Sequence, residues 1–124
     1  MDTLVSSWIE ATKQSEGNPG LNADNWAIQK VWSLLTDDEH EEVWKIILAI
    51  TSETESKWVL ECLGAGPLED LLTTHAAEYI ERIEKEAQTS PKFKIALAAV
   101  WLDANDTPLY KRVYEICEIE PPFD

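Results

Sequence analysis

Apolar residues recur three and four positions apart along almost the whole chain, and no long stretch alternates between apolar and polar residues. Residues spaced in this way share one face of an α-helix, whereas a half-buried strand would show strict alternation. The pattern therefore predicts an all-α protein of about seven amphipathic helices, packed as a bundle or as a stack of helical hairpins. A chain of 124 residues has the length of one domain, so we expect residues 1–124 to form a single helical domain.

Polar residues with the spacing of capping boxes indicate where two of these helices begin. In such a box, a hydroxyl group accepts a hydrogen bond from a backbone N–H three residues later, and a glutamate at that position reaches back. Thr36 with Glu39 has this spacing and is predicted to begin the third helix. Ser52 with Glu55 repeats it and is predicted to begin the fourth helix.

The stretch 64–87, GAGPLEDLLTTHAAEYIERIEKEA, carries the most distinctive pattern in the chain. We expect Gly64 or Gly66 to end the fourth helix, because glycine commonly follows a helix C-terminus. Proline is common at the first helical position, so Pro67 is predicted to begin a fifth helix that continues without interruption to about Gln88. Two further helices are predicted to begin at hydroxyl–proline steps, Ser90–Pro91 and Thr107–Pro108.

Six tryptophans are a large number for a chain of this length. Four of them fall on apolar stripes and are predicted to lie inside the protein: Trp8, Trp32, Trp44 and Trp101. Trp26 and Trp58 stand near helix starts and are predicted to be partly exposed. Exposed aromatic residues among acids are typical of a protein-binding surface. Tyr110 and Tyr114, one helical turn apart, form a second candidate pair of this kind.

The charge of the chain is strongly unbalanced, with 24 acidic and 10 basic residues and a formal net charge of −14. Acids occur in both halves, and the segment 37–42, DDEHEE, is the densest run. No basic patch is present that could neutralise phosphates, so we expect no direct binding to nucleic acid. A strongly negative surface attracts basic proteins and speeds their encounter. The alternative interpretation is a solvated surface that keeps a helical protein soluble.

The sequence also indicates where the protein acts. Its apolar runs, such as 46–50, are much shorter than the roughly 20 residues that a membrane-spanning helix needs. The N-terminal segment has an early acid and no basic region before an apolar stretch, unlike a signal peptide. Cys62 and Cys117 lie far apart in helix-like segments and are expected to be reduced. We therefore expect a cytoplasmic protein without membrane contact.

Candidates for catalysis or metal binding are few. His75 and Glu78 share a helix face at a spacing that suits metal ligands, but a zinc site needs at least three protein ligands. The only other histidine, His40, lies within the acidic segment 37–42. No Glu-x-x-His pair, nucleophile elbow, phosphate-binding loop or dinucleotide fingerprint is present. The sequence therefore predicts no catalytic residue, no bound metal and no cofactor, and a histidine hydrogen-bonded at the edge of the core.

Several motifs occur together in the segment 64–101. They are Gly-Pro-Leu-Glu-Asp-Leu-Leu at 66–72, His75, an acidic helix with isoleucines at 80–87, and Pro-x-Phe leading to Trp at 91–101. With these motifs the chain resembles a bacterial family described only as domain of unknown function 6869. Relatives often have glycine after the histidine, whereas this chain has Ala76, which favours an uninterrupted helix. The resemblance implies a bacterial origin and brings no activity with it.

These observations predict a non-enzymatic, acidic, all-helical inhibitor that binds a basic protein, as an immunity protein or an antitoxin binds a toxin such as a nuclease. Negative charge would attract the partner, and exposed aromatic residues would anchor it. The residues predicted to bind the partner are Asp37, Asp38, Glu39, Glu41, Glu42, Trp58, Glu78, Glu81, Tyr110 and Tyr114. Three alternatives stay open: a nucleic-acid mimic that blocks a defence enzyme, a small metal-dependent enzyme built on His75 with Glu78 and Asp70, and a helical adaptor.

Overall fold

The structure, a computed structural model, describes residues 2–18, 22, 24–100 and 107–117. Within these residues the protein is all-α and contains no strand, which confirms the predicted fold class. Its helices are α1 (Asp2–Gln14), α2 (Trp26–Thr36), α3 (His40–Glu53), α4 (Lys57–Leu63), α5 (Glu69–Thr74), α6 (Ala76–Thr89), α7 (Pro91–Ala98) and α8 (Thr107–Cys117). A π-helical turn, Gly64–Leu68, joins α4 to α5. Among the described helices, none is long and apolar enough to cross a membrane.

One hydrophobic core connects the helices, and α3 and α7 supply much of it. Phe93 of α7 is fully buried and contacts Trp44 of α3 edge to face, with ring centroids 5.9 Å apart. Burying a large apolar side chain of this kind stabilises the fold by about 1.5–3 kcal/mol. α7 also packs against α4, α6 and α8, so the core extends from the first half of the chain into the last helix.

The predicted capping box at the start of α3 is wrong. Thr36 is the last residue of α2, where its hydroxyl donates to the carbonyl of Trp32 (3.0 Å). The chain then turns at Asp38, whose φ of 63° is in the left-handed region, and the N–H of Glu39 donates back to the carbonyl of Leu34 (2.8 Å). α3 begins after Glu39, whose side chain forms no capping hydrogen bond.

The predicted capping box at the start of α4 is also wrong, whereas the predicted start of α7 at Ser90–Pro91 is confirmed. Ser52 lies inside α3, and the residue that caps α4 is Ser56, whose Oγ accepts from the N–H of Val59 (3.2 Å). At α7, Ser90 accepts from the N–H of Phe93 (3.1 Å), as the hydroxyl–proline step predicted. α8 likewise begins at its predicted position.

α4 ends at Leu63 and Gly64 is its C-cap residue, as predicted, but the chain continues into a π-helical turn instead of leaving the helical path. Gly64 has helical dihedral angles (φ −67°, ψ −45°) and begins the π-helical turn, and Gly66 lies within that turn. Pro67 is also inside the turn instead of at the first position of a new helix. A proline lacks the backbone N–H that an α-helix uses, and the wider π turn accommodates it without ending the helical path.

The helix predicted to continue without interruption through Ala76 is broken one residue earlier, at His75. The hydroxyl groups of Thr73 (3.2 Å) and Thr74 (2.6 Å) both donate to the carbonyl of Asp70. Local bonds of this kind compete with the helical hydrogen-bond pattern and bend or end helices. His75 then leaves the helical conformation (φ −137°, ψ 38°), so that α5 and α6 are separate helices.

The tryptophans that the structure describes follow the predictions with one exception. Trp8 and Trp44 are buried and Trp26 is 53% exposed, as predicted. Trp32, predicted to lie inside, is instead 45% exposed. The buried face of α2 consists of Ala27, Val31 and Leu35. These residues are spaced four apart, and Trp32 lies beside the stripe that they form. The predicted inward position of Trp101 lies outside the described residues.

Candidate functional site

An open cleft lies where the start of α3 meets the break between α5 and α6. Its volume is about 400 Å³, and it is lined by Asp38, Glu39, His40, Glu41, His75, Glu78 and Tyr79. Four of these residues are acidic, and two are the only histidines of the chain. The cleft therefore combines negative charge with both imidazole groups.

The two histidines occupy helix boundaries and contact each other. His40 is the first residue of α3 and is buried, whereas His75 lies between α5 and α6 and is half-buried. Their ring centroids are 3.6 Å apart and the ring planes are inclined by 39°. Oδ1 of Asp38 lies 3.7 Å from Nδ1 of His40, beyond hydrogen-bond distance. The potential ligand atoms of these three side chains all lie within 4.8 Å of one another.

The hydrogen bonds of Thr74 favour one tautomer of His75. The hydroxyl group of Thr74 donates its only hydrogen to the carbonyl of Asp70 (2.6 Å). The same oxygen lies 2.8 Å from Nδ1 of His75, where it can only accept. Nδ1 of His75 therefore carries a hydrogen, and in a neutral imidazole the lone pair is then on Nε2.

A hydrogen-bonded group on one wall of the cleft joins α3 to α6. Oε2 of Glu41 accepts from the hydroxyl of Tyr79 (2.8 Å) and from Nη1 of Arg82 (2.5 Å), and the guanidinium of Arg82 lies 5.2 Å from the centre of the Tyr79 ring. The hydrogen bond from Arg82 lowers the pKa of Glu41, and the bond from Tyr79 lowers it further. Burial, and then the hydrogen bond to Glu41, raise the pKa of Tyr79 to about 12. At neutral pH, Glu41 is therefore ionised and Tyr79 is not.

The structure gathers most of the predicted acidic residues at this end of the molecule. Those that line the cleft are Asp38, Glu39, Glu41 and Glu78. Asp37 is exposed at the end of α2. Glu81 is exposed on α6, one turn after Glu78. Glu42 lies 3.6 Å from Lys45 in an ion pair along α3. Acids from two helices that are distant in the sequence thus form one surface.

Two of the predicted aromatic residues, Trp58 and Tyr114, do not join that surface. Trp58 is half-buried, and its indole N–H donates to the carbonyl of Thr12 (2.9 Å), which ties α4 to α1. Tyr114 is half-buried on α8 and does not line the cleft. The side chain of Tyr110 lies outside the part of the chain that the structure describes.

Sequence reasoning missed two members of the cleft. Tyr79 follows His75 by four positions, a spacing that indicates one helix face and could have been used. His40 carries no local signal that relates it to His75. The two histidines share only their position at the start of a helix, and the capping residue predicted before His40 was the wrong one.

A second cleft, of about 330 Å³, lies between α6, α7 and α8. It is lined by Glu84, Gln88, Lys94, Arg112, Glu115 and Ile116. Arg112 pairs with Glu84 at 3.3 Å, and the two basic and two acidic residues of this lining offset each other. The described lining contains neither histidine nor cysteine, so the first cleft is the candidate site.

Comparison with known proteins places the chain in a family without a known activity. No curated protein and no solved structure matches it. One family model, described as "Family of unknown function (DUF6869)", matches residues 13–120, which is most of the chain. The protein therefore belongs to the DUF6869 family.

Proposed function

We propose that this protein is a non-enzymatic, acidic inhibitor that binds a basic protein at the cleft between α3 and α6. The observation that carries the proposal is the convergence of four carboxylates, from the segment around the start of α3 and from α6, on one open surface: Asp38, Glu39, Glu41 and Glu78. Glu41 is neutralised by Arg82. Glu39 and Glu78 form no ion pair with any other described residue, so their charges are available to the basic side chains of a partner.

The charge of the whole chain supports such an encounter. A net charge of −14 on 124 residues produces a negative field, and carboxylates along a cleft concentrate that field at its mouth. Complementary charge raises the association rate of two proteins by roughly 10-fold to 1,000-fold at low salt. A nuclease toxin is a suitable partner because it needs a basic surface to bind phosphates. We therefore propose an immunity protein or an antitoxin-like protein.

Trp32 is the aromatic residue that we propose as the anchor of this interface. It is 45% exposed on α2, the helix that ends just before Asp37, and it does not itself line the cleft. Tryptophan is enriched among the residues that dominate binding energy at interfaces. Trp58, one of the aromatic residues predicted from the sequence to bind the partner, is less suited because its indole N–H already bonds to Thr12 inside the protein.

The alternatives receive less support from this geometry. A nucleic-acid mimic would need carboxylates in an extended row, whereas four of the predicted acids converge on one cleft. The metal-dependent enzyme built on His75, Glu78 and Asp70 would need all three at one site, and Asp70 does not line the described cleft. The same proposal places the protein in the cytoplasm, where the free cysteines Cys62 and Cys117 would remain reduced.

The test begins with the proteins encoded beside the gene for this chain. Each is co-expressed with the chain, and we expect a basic one to co-purify and to lose its toxic or nuclease activity at a 1:1 ratio. The association rate is then measured from low salt to about 0.15 M, where the Debye length is about 8 Å. We expect the rate to fall steeply as salt rises.

Two double variants locate the interface. Glu39→Gln with Glu78→Gln removes two cleft charges and should slow association by about tenfold at low salt. The control, Glu16→Gln with Glu53→Gln, removes two exposed charges elsewhere, since Glu53 lies roughly 20 Å along α3 from the cleft. A rate that is insensitive to salt, or equal losses in both double variants, would contradict the proposal.

A further inference from the structure

We propose that Asp38, His40 and His75 form a binding site for a divalent transition-metal ion such as Zn²⁺. The potential ligand atoms of these three side chains lie within 4.8 Å of one another, although His75 is distant in the sequence from Asp38 and His40. Asp38 lies in the turn before α3, His40 begins α3, and His75 separates α5 from α6. His40 and His75 are far apart in the sequence and lie at different helix boundaries. Only the folded structure brings the two histidines together.

The chemistry of the ligands selects the class of metal. Two imidazole nitrogens and one carboxylate oxygen suit Zn²⁺ and related ions such as Fe²⁺ or Ni²⁺, whereas Mg²⁺ and Ca²⁺ prefer an all-oxygen set. Zinc sites with three protein ligands keep a fourth position for water or another ligand. The cleft is open on one side and could admit such a ligand beside the three side chains.

The hydrogen bond from His75 to Thr74 is an independent observation that favours metal binding. Because Thr74 accepts from Nδ1, the lone pair of neutral His75 is on Nε2, where a metal could bind. Histidines that bind metals almost always donate their other ring N–H to an oxygen, which orients the ring. Thr74, itself held by the carbonyl of Asp70, provides that oxygen.

The distances require only local movement of side chains. With Zn–N bonds of about 2.0–2.1 Å, two ligand atoms of a tetrahedral site are about 3.3 Å apart. Nδ1 of His40 and Oδ1 of Asp38 are already 3.7 Å apart. The side chain of Asp38 is 85% exposed, and His75 is half-buried at the break between two helices. A metal would draw the ligands together by one to two Å, on the order of a rotamer adjustment.

The electrostatic balance of the cleft favours a cation. The starts of α3 and α6 both lie at the cleft, and each carries a partial positive charge of about 0.5. The cleft also contains four carboxylates, and of these only Glu41 pairs with an arginine. The four acids are Asp38, Glu39, Glu41 and Glu78. The negative charge therefore exceeds the contribution of both helix dipoles and attracts a divalent ion.

The proposal is tested on the purified chain alone, without a histidine tag, so that its outcome is separate from that of partner binding. ZnCl₂ is titrated into metal-free protein by calorimetry, and we expect saturable binding of one ion per chain. His75→Gln and Asp38→Asn should each weaken binding by at least about tenfold. Asp37→Asn is the matched control, since it removes an adjacent exposed acid that does not belong to the cluster and should leave the affinity unchanged.

Two further measurements keep the test decisive. Circular dichroism establishes that each variant is folded, and Thr74→Val should weaken zinc binding while keeping all three ligands in place. In the wild-type chain, zinc should shift the imidazole NMR signals of His40 and His75 together. Absence of saturable binding would overturn the proposal. Unchanged affinity in both His75→Gln and Asp38→Asn, or an equal loss in Asp37→Asn, would overturn it as well.

Discussion

Gly64 lies directly against the backbone of Ala96, where the π-helical turn crosses α7. A Cβ atom built on Gly64 would overlap the carbonyl oxygen of Ala96 and would lie 2.7 Å from its carbonyl carbon. Both residues are buried, and the contact joins the segment after α4 to the helix that contributes Phe93 to the core. Only a residue without a side chain allows these two stretches of backbone to approach so closely.

Substituting Gly64 by alanine should therefore destabilise the protein strongly. The new methyl group meets backbone atoms that cannot rotate away, so we expect the free energy of unfolding to fall by about 3 kcal/mol or more. Gly66→Ala is the control, because a Cβ there would meet only the ring of Trp32, at 3.8 Å. It should change stability by less than about 1 kcal/mol. Urea unfolding of the two variants measures both values, and similar losses would contradict the packing of Gly64 against α7.

The contact between Gly64 and Ala96 marks a limit of structure prediction from local sequence patterns. Apolar spacing is enough to predict an all-α fold, because the helices bury their stripes in one core as the period requires. The same rules interpreted Gly64 as a helix end, since glycine at that position usually adopts a left-handed conformation. Here Gly64 is helical, and its role is close approach to Ala96. That role depends on a helix more than 30 residues later, which no local pattern reveals.

Alanine substitutions at three serines test which of them cap helices. Ser56 and Ser90 each accept a hydrogen bond from a backbone N–H at the start of a helix. Replacing either with alanine should lower the free energy of unfolding by about 1 kcal/mol. Ser52, which the capping-box spacing favoured, is exposed inside α3, so Ser52→Ala should cost less than about 0.5 kcal/mol. A larger loss at Ser52 than at Ser56 would show that α4 begins earlier in solution.

Two tryptophan-to-phenylalanine variants compare the contribution to stability of a hydrogen-bonded indole with that of an exposed indole. Trp58→Phe removes the N–H that donates to Thr12, so the free energy of unfolding should fall by about 1–2 kcal/mol. Trp32→Phe makes the same chemical change on a side chain that is 45% exposed, and stability should change by less than about 0.5 kcal/mol. Thermal or urea unfolding provides the measurement. Equal effects would mean that the hydrogen bond from Trp58 contributes nothing.

The candidate site was less predictable than the fold. The acidic segment 37–42 could be recognised from composition, and four of the acids chosen from the sequence do line one cleft. The contact of His40 with His75 could not be recognised, because it depends on the turn at Asp38 and on the break after Thr74. Both features arise from competing local hydrogen bonds whose outcome only the packed structure determines.

Tyr79 provides a prediction on pH, because its environment favours the neutral phenol. Burial, and then the hydrogen bond to the ionised Glu41, raise the pKa of Tyr79 to about 12. In the unfolded chain, a tyrosine titrates near 10. Between these values the unfolded chain releases the proton while the folded protein retains it, so the free energy of unfolding decreases as pH rises. Below pH 10 both states keep the proton, and Tyr79 contributes no pH dependence.

The expected contribution is at most about 1.4 kcal/mol for each pH unit between about 10 and 12. Tyr79→Phe should lose this dependence, so the difference in stability between the wild-type chain and the variant should shrink as pH rises through that window. Glu41→Gln should lower the pKa of Tyr79 measured by phenolate absorbance, because it removes the charged acceptor. Other groups titrate in the same range in every variant, so the difference between proteins isolates Tyr79. A constant difference across the window would mean that the phenol of Tyr79 is as accessible to ionisation in the folded protein as in the unfolded chain.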